Sequence, residues 1–139
     1  MNKLAHIKFP FPIKQEVYWG EMDAFNHINN VIYFRYFETG RVAFFNQTGL
    51  WNLFFEENIR IVVGKLTCNF VREIIHPEEI EIAVGIVKVG NTSLTVMQKV
   101  SVNNEIRAYG ECIIVATDPQ NGKSKPWSDR LRLEFGKWA

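Results

Sequence analysis

Cysteine is scarce in this chain, and basic clusters, membrane-length apolar runs and metal-ligand spacings are missing. The two cysteines, Cys68 and Cys112, are too few for a disulfide framework and lack the paired spacing of a zinc site. No apolar run approaches the ~20 residues of a membrane span, so no crossing helix and no membrane partner are expected. The stretch from Met1 to Pro10 has neither a sustained apolar region nor a small-residue cleavage site. A cytoplasmic protein with reduced thiols is therefore expected. Sixteen Lys and Arg against fifteen Asp and Glu leave a net charge of +1, without the clustered basic face that nucleic acid requires. Ser93 lacks a Gly-x-Ser-x-Gly setting, which argues against a serine hydrolase.

What is abundant is apolar and aromatic surface. Hydrophobic residues make up 47% and aromatics 14%, with 11 Phe and 4 Trp, so the chain is expected to fold as one domain over residues 1–139. Ile13 to Trp19 reads as a first strand, with Ile13, Val17 and Trp19 on one side. Val31 to Thr48 reads as a long helix stopped at Gly49. Its arc of Val31, Phe34, Phe37, Phe44 and Phe45 leaves only Arg35, Glu38, Arg41 and Asn46-Gln47 as a polar stripe, so the helix is expected to be enclosed by other structure. Leu50 to Asn58 is a short helix or a loop, with Trp51, Phe54 and Phe55 turned inward.

From Ile59 the period becomes two. Val62, Leu66, Cys68 and Phe70 alternate with Lys65, Thr67 and Asn69, and both cysteines fall at inward positions. Ile80, Ile82, Val84 and Ile86 repeat the alternation, as do Leu94, Val96, Val100 and Val102, and then Ile106, Ala108, Cys112 and Ile114. Turn chemistry at His76-Pro77-Glu78-Glu79, Gly90-Asn91 and Asn103-Asn104 separates them, which predicts an antiparallel sheet. After Asp118–Gly122, Ser128 or Asp129 is placed to cap a last helix, with Leu131 and Phe135 inward. A curved sheet wrapped around one long helix buries both apolar surfaces in a single core, an α+β fold.

The richest chemistry lies between the first strand and the long helix, in Trp19-Gly20-Glu21-Met22-Asp23-Ala24-Phe25-Asn26-His27-Ile28-Asn29-Asn30. Glu21, Asp23 and His27 crowd a helix N-terminus, where unpaired N–H groups favour an anion or a developing oxyanion. A carboxylate there can attack a polarised carbonyl or activate water to do so. Asp23 can equally serve as a loop aspartate holding backbone N–H groups. Asn29 or Asn30 can cap the helix while a backbone N–H still faces a ligand. Glu21, Asp23 and His27 lack a further ligand cluster, so no metal is expected.

The same stretch, continued through Val31-Ile32-Tyr33-Phe34, resembles the first motif of the 4-hydroxybenzoyl-CoA thioesterase-like family of hotdog-fold acyl-CoA thioesterases. That motif runs aromatic, Gly, Asp-x-Asp, often His-x-Asn-Asn, then a Tyr-containing helix. The resemblance implies the hotdog fold, one antiparallel sheet around a central helix, and hydrolysis of an acyl-CoA to an acid and coenzyme A without metal or organic cofactor. It makes Asp23 the catalytic carboxylate, as nucleophile or general base, and puts the oxyanion donor at the N–H of or beside Asn30. His27 then polarises the thioester, orients Asp23, assists the thiolate or simply fixes the turn. Gly90-Asn91-Thr92-Ser93 resembles the hairpin near which coenzyme A binds, so Asn91, Thr92 and Ser93 are candidate contacts. Two departures stand out: Glu21 where Asp is usual, and Asn26 where Gly is common. The family assembles as dimers or tetramers, so a homo-oligomer is expected. The rivals are a thioesterase for acyl groups on acyl carrier protein and a non-catalytic acyl-CoA-binding protein.

Overall fold

The computed structural model describes residues 4–139. In chain order the elements are β1 (Ile13–Glu16), α1 (Asn30–Thr48), α2 (Leu50–Glu56), β2 (Arg60–Leu66), β3 (Asn69–Phe70), β4 (Glu79–Val89), β5 (Ser93–Val102), β6 (Glu105–Thr117) and α3 (Asp129–Trp138). The six strands form one curled antiparallel sheet in the order β1-β4-β5-β6-β2, with β3 also paired to β6. This is the hotdog fold, with α1 held against the concave face.

The alternating segments behave as their period demands. Ile80, Ile82, Val84 and Ile86 of β4 are buried toward α1, as are Leu94, Val96, Val100 and Val102 of β5 and Ala108, Cys112 and Ile114 of β6. Asn103 and Asn104 both adopt positive φ, 50° and 65°, the backbone a two-residue hairpin needs between twisted strands.

Helix α1 starts where Asn29 caps it, the side chain accepting from the Val31 N–H at 3.1 Å, and stops where Gly49 takes φ 76°. At Gly40 the helix lies so close to the sheet that a Cβ would stand 2.6 Å from the Cγ2 of Ile82. Only a glycine permits that approach. Arg41 is buried as well, its guanidinium donating to the Gln98 side-chain carbonyl on β5.

Two apolar clusters line this helix. One gathers Phe44, Phe45, Leu50 and Phe54 with Trp127, Leu131 and Phe135, so that α3, capped by Ser128, closes that end. The other gathers Ile28, Tyr33, Tyr36 and Phe37 with Ile74, Ile80, Ile82 and Val100 beneath the functional loop. On the outer side, the segment before β1 is tied down by Phe9, whose ring sits 4.4 Å beneath Lys99 Nζ, and by Phe11 against Trp138.

Several positions differ from the sequence reading. β1 ends at Glu16, and Trp19 opens a short 3₁₀ turn over Trp19–Glu21, where it is 73% exposed. Phe55 is exposed on α2, and Val31 on the open side of α1, so that helix is covered on one side only. Arg41, expected in the polar stripe, turns into the core. The expected strand from Ile59 is two, β2 and β3, broken at Thr67-Cys68, and a register shift between Val63 and Lys65 upsets the alternation. Ile61 and Leu66 consequently pack on the core while Val62 faces outward, and Phe70, opposite the buried Ala108, keeps to the inner face, edge-on to Tyr33 at 5.2 Å. Cys68 is half-buried at the break and Cys112 fully buried, and burial raises both thiols, Cys68 to about 11.

Candidate active site

The loop between β1 and α1 is closed by its own backbone. Met22 pairs with Ile28, the Asp23 N–H donates to the His27 carbonyl at 3.0 Å, and the Asn26 N–H donates back to the Asp23 carbonyl at 3.0 Å. Asn26 takes φ 65°, a left-handed conformation that Asn tolerates better than most residues, which explains why Gly is a natural alternative there. Ile28 anchors the loop, being buried itself and donating its N–H to the Ile74 carbonyl at 2.8 Å. The apolar residue inside His-Ile-Asn-Asn therefore pins the polar ones.

Asp23 Oδ1 accepts from the Phe25 N–H at 2.9 Å, an Asx turn. Its other oxygen, Oδ2, faces His27 Nδ1 at 3.9 Å, and the Asp23 side chain is 25% exposed. One oxygen thus organises the turn while the second makes no hydrogen bond among the described residues. Beyond, His27 Nε2 lies 4.0 Å from Glu73, and the Phe25 ring stacks on the imidazole at 6.4 Å.

Asp23, His27 and Asn30 come together in one open cleft of about 440 Å³, completed by Ile28, Tyr33, Phe70, Val71, Arg72 and Glu73. Asn29 spends its side chain on the Val31 N–H, and the Asn30 N–H has no acceptor among the described residues. It is the first amide of a 19-residue helix, where the partial positive charge of the aligned peptides is concentrated. Tyr33 on the wall has its phenol raised above the ordinary range, chiefly by burial. Among the described residues no three His, Cys, Asp or Glu side chains converge as a metal set.

Asn91, Thr92 and Ser93 are not among the residues lining this cleft. Their carbonyls hold neighbouring structure instead: Asn91 accepts from the Trp127 N–H and Ser93 from the Trp127 indole at 2.8 Å, both ahead of α3, while Thr92 accepts from the Ala116 N–H of β6. Conversely, the wall contributed by Val71, Arg72 and Glu73 carries no signal in the sequence, where Phe70 beside it reads only as an inward strand residue. It is positioned from a distance, because Val71 and Arg72 donate their N–H groups to the Arg107 carbonyl and Arg107 Nη1 donates to the Glu73 carbonyl at 2.6 Å.

A half-buried carboxylate and a free helix amide thus line one open cleft of a hotdog sheet. The chain belongs to the thioesterase-like superfamily, whose family model matches residues 17–135. The uncharacterized protein YsmA of Bacillus subtilis strain 168 is 30% identical over 122 residues, spanning 87% of this chain and 82% of its own length. Among solved structures, a thioesterase from Thermus thermophilus, complexed with coenzyme A and zinc, aligns with a TM-score of 0.78 at 25% identity, over 91% of this chain and 98% of that one. The DHNA-CoA thioesterase of Staphylococcus aureus aligns with a TM-score of 0.80 over 91% of this chain and 88% of its own. At 16% identity that likeness concerns the fold alone. No helix among the described residues is long and apolar enough to cross a membrane.

Proposed function

We propose that the protein hydrolyses acyl-CoA thioesters to a carboxylic acid and free coenzyme A. The observation that carries this reading is the presence, in one cleft, of Asp23, with one carboxylate oxygen free of hydrogen bonds, and of the unaccepted Asn30 N–H. The thioester carbonyl oxygen accepts from the Asn30 amide, and charge building on that oxygen is stabilised by a donor that needs no reorganisation. Asp23 then acts in one of two ways. As general base it takes a proton from water, whose oxygen bonds to the acyl carbon. As nucleophile it forms a mixed anhydride that water later opens. In either case the C–S bond breaks and the thiolate of coenzyme A departs. A thiolate is a good leaving group, so the reaction calls for no metal or organic cofactor. His27, 3.9 Å from Asp23, orients the carboxylate or meets the departing sulfur.

The reading extends to a second copy of the chain. Edge strand β2 has one side of its backbone unpaired and exposes Val62 and Val63 beside exposed Val42 of α1, which gives the chain a physical reason to associate. In such a homo-oligomer Asn91, Thr92 and Ser93 enter as the coenzyme A-contacting hairpin that the resemblance implies. A cytoplasmic setting suits the substrate.

The test is release of free thiol from short, medium, long and aromatic acyl-CoAs. Turnover with saturation on at least one class supports the reading. Absence of turnover across the panel, with the protein folded, overturns it.

A further inference from the structure

Glu21 sits two residues before Asp23 and does not line the cleft, yet it bonds to three separate segments around the loop. Its Oε1 accepts from the Tyr36 hydroxyl at 2.7 Å and from the Tyr18 N–H at 2.8 Å. Its main-chain carbonyl accepts from the Asn29 N–H at 3.0 Å. These donors belong to the second turn of α1, the entry of the loop and the cap of α1. One residue therefore ties together the segment that carries Asp23 and the helix end that carries the Asn30 amide.

We propose that Glu21 is a positioning residue, and that its bond to Tyr36 holds the Asp23 loop in fixed relation to the first turn of α1. The inference rests on the reading of Asp23 as the reacting carboxylate. Tyr36 is fully buried, and its ring meets that of Tyr33, a wall of the cleft, edge-on at 6.0 Å. Burial first, then the hydrogen bond and charge of Glu21, push the Tyr36 phenol far above its ordinary range, so it is a permanent donor. A buried hydroxyl deprived of its acceptor is destabilised, so the bond is not readily exchanged for water. The length of the side chain matters. Aspartate at 21 would fall about 1.5 Å short, one C–C bond, and would leave the Tyr36 hydroxyl without its partner.

The test compares Glu21→Ala, Glu21→Gln, Tyr36→Phe and the Glu21→Ala/Tyr36→Phe double variant. Two quantities are read on proteins checked for folding: hydrogen exchange of the amides from Met22 to Val31, and kcat with KM on the best acyl-CoA. A loosened loop predicts faster exchange in Glu21→Ala and Tyr36→Phe, and a kcat loss of about tenfold or more, because a reacting group displaced by an ångström loses rate steeply. KM stays within about threefold, since the groups that touch substrate are unchanged. The double variant loses no more than the worse single, as expected for partners in one bond. Glu21→Gln keeps an acceptor oxygen and stays near wild type. Unchanged exchange in both single variants, or losses that multiply in the double, overturns the proposal. Should Tyr36→Phe not fold, Glu21→Asp against Glu21→Gln decides, with the shorter acid expected to be the slower and more exchangeable. If wild type hydrolyses no acyl-CoA, the thioesterase reading fails, while the exchange measurement still decides the tether.

Discussion

Replacing Asp23 by Asn separates chemistry from architecture at this site. Asparagine is nearly isosteric, and its side-chain carbonyl can keep the 2.9 Å acceptor contact with the Phe25 N–H, so the Asx turn survives. The backbone bonds that close the loop, from Asp23 to His27 and from Asn26 to Asp23, do not involve the side chain at all. What is lost is the second oxygen as a base or nucleophile, together with its charge 3.9 Å from His27. That contact is partly exposed and beyond hydrogen-bond length, so its removal is worth under about 1 kcal/mol of stability. A change of that size moves Tm by only about 3–5 °C in a domain of this length. The chemical effect is far larger. General-base assistance is worth about 10²- to 10⁴-fold, or about 3–5 kcal/mol of barrier. Asp23→Asn is therefore expected to unfold within a few degrees of wild type while releasing thiol at least about a hundredfold more slowly. Melting curves and a thiol-release assay on the same preparation check both halves. A variant that turns over within about threefold of wild type would refute the assignment, and so would a rate loss no greater than the loss of folded protein.

Three further outcomes follow from the packing. Gly40→Ala gains about 1 kcal/mol of helix propensity but drives a Cβ to 2.6 Å from Ile82 Cγ2, which costs about 1–3 kcal/mol, so net destabilisation is expected in urea titration and a stabilised variant would contradict it. Asn29→Ala removes the cap on the Val31 N–H and should cost about 1 kcal/mol, with kcat falling as the first turn of α1 frays. Sedimentation at micromolar concentration should find a dimer or larger assembly, and a monomer would overturn the homo-oligomer.

Much of this could be read from local patterns because local physics decides it. Both ends of α1 follow from neighbours in sequence, the Asn29 side chain at one and the left-handed Gly49 at the other. β4, β5 and β6 alternate over most of their length because one face meets the helix, with register shifts at Ile86/Lys88 and Val100/Ser101. The readings that differ involve distance. Gly64 marks the irregularity at Val63/Lys65 that exposes Val62, yet a lone glycine does not say how the register shifts, and nothing near Trp19 says that β1 has already ended at Glu16. Arg41 looks like part of a polar stripe until Gln98, far along the chain, supplies its acceptor. The meeting of Asp23, His27 and Asn30 in one cleft is legible because they lie close together in the sequence, in the loop and at the first residue of α1. The place of Glu73 and Arg72 is not, since it depends on Arg107 of β6.

The Arg41–Gln98 pair also acts as a keyway. A slide of α1 by a turn, about 5.4 Å, would bring a side chain into the close approach that Gly40 makes to Ile82, where neighbours would have to give way. The guanidinium adds a polar constraint, since the same slide strands a buried cation away from its acceptor at a cost of several kcal/mol. The helix thus has a single axial address on the sheet, and the Asn30 amide at its tip inherits that address, set from a contact eleven residues downstream.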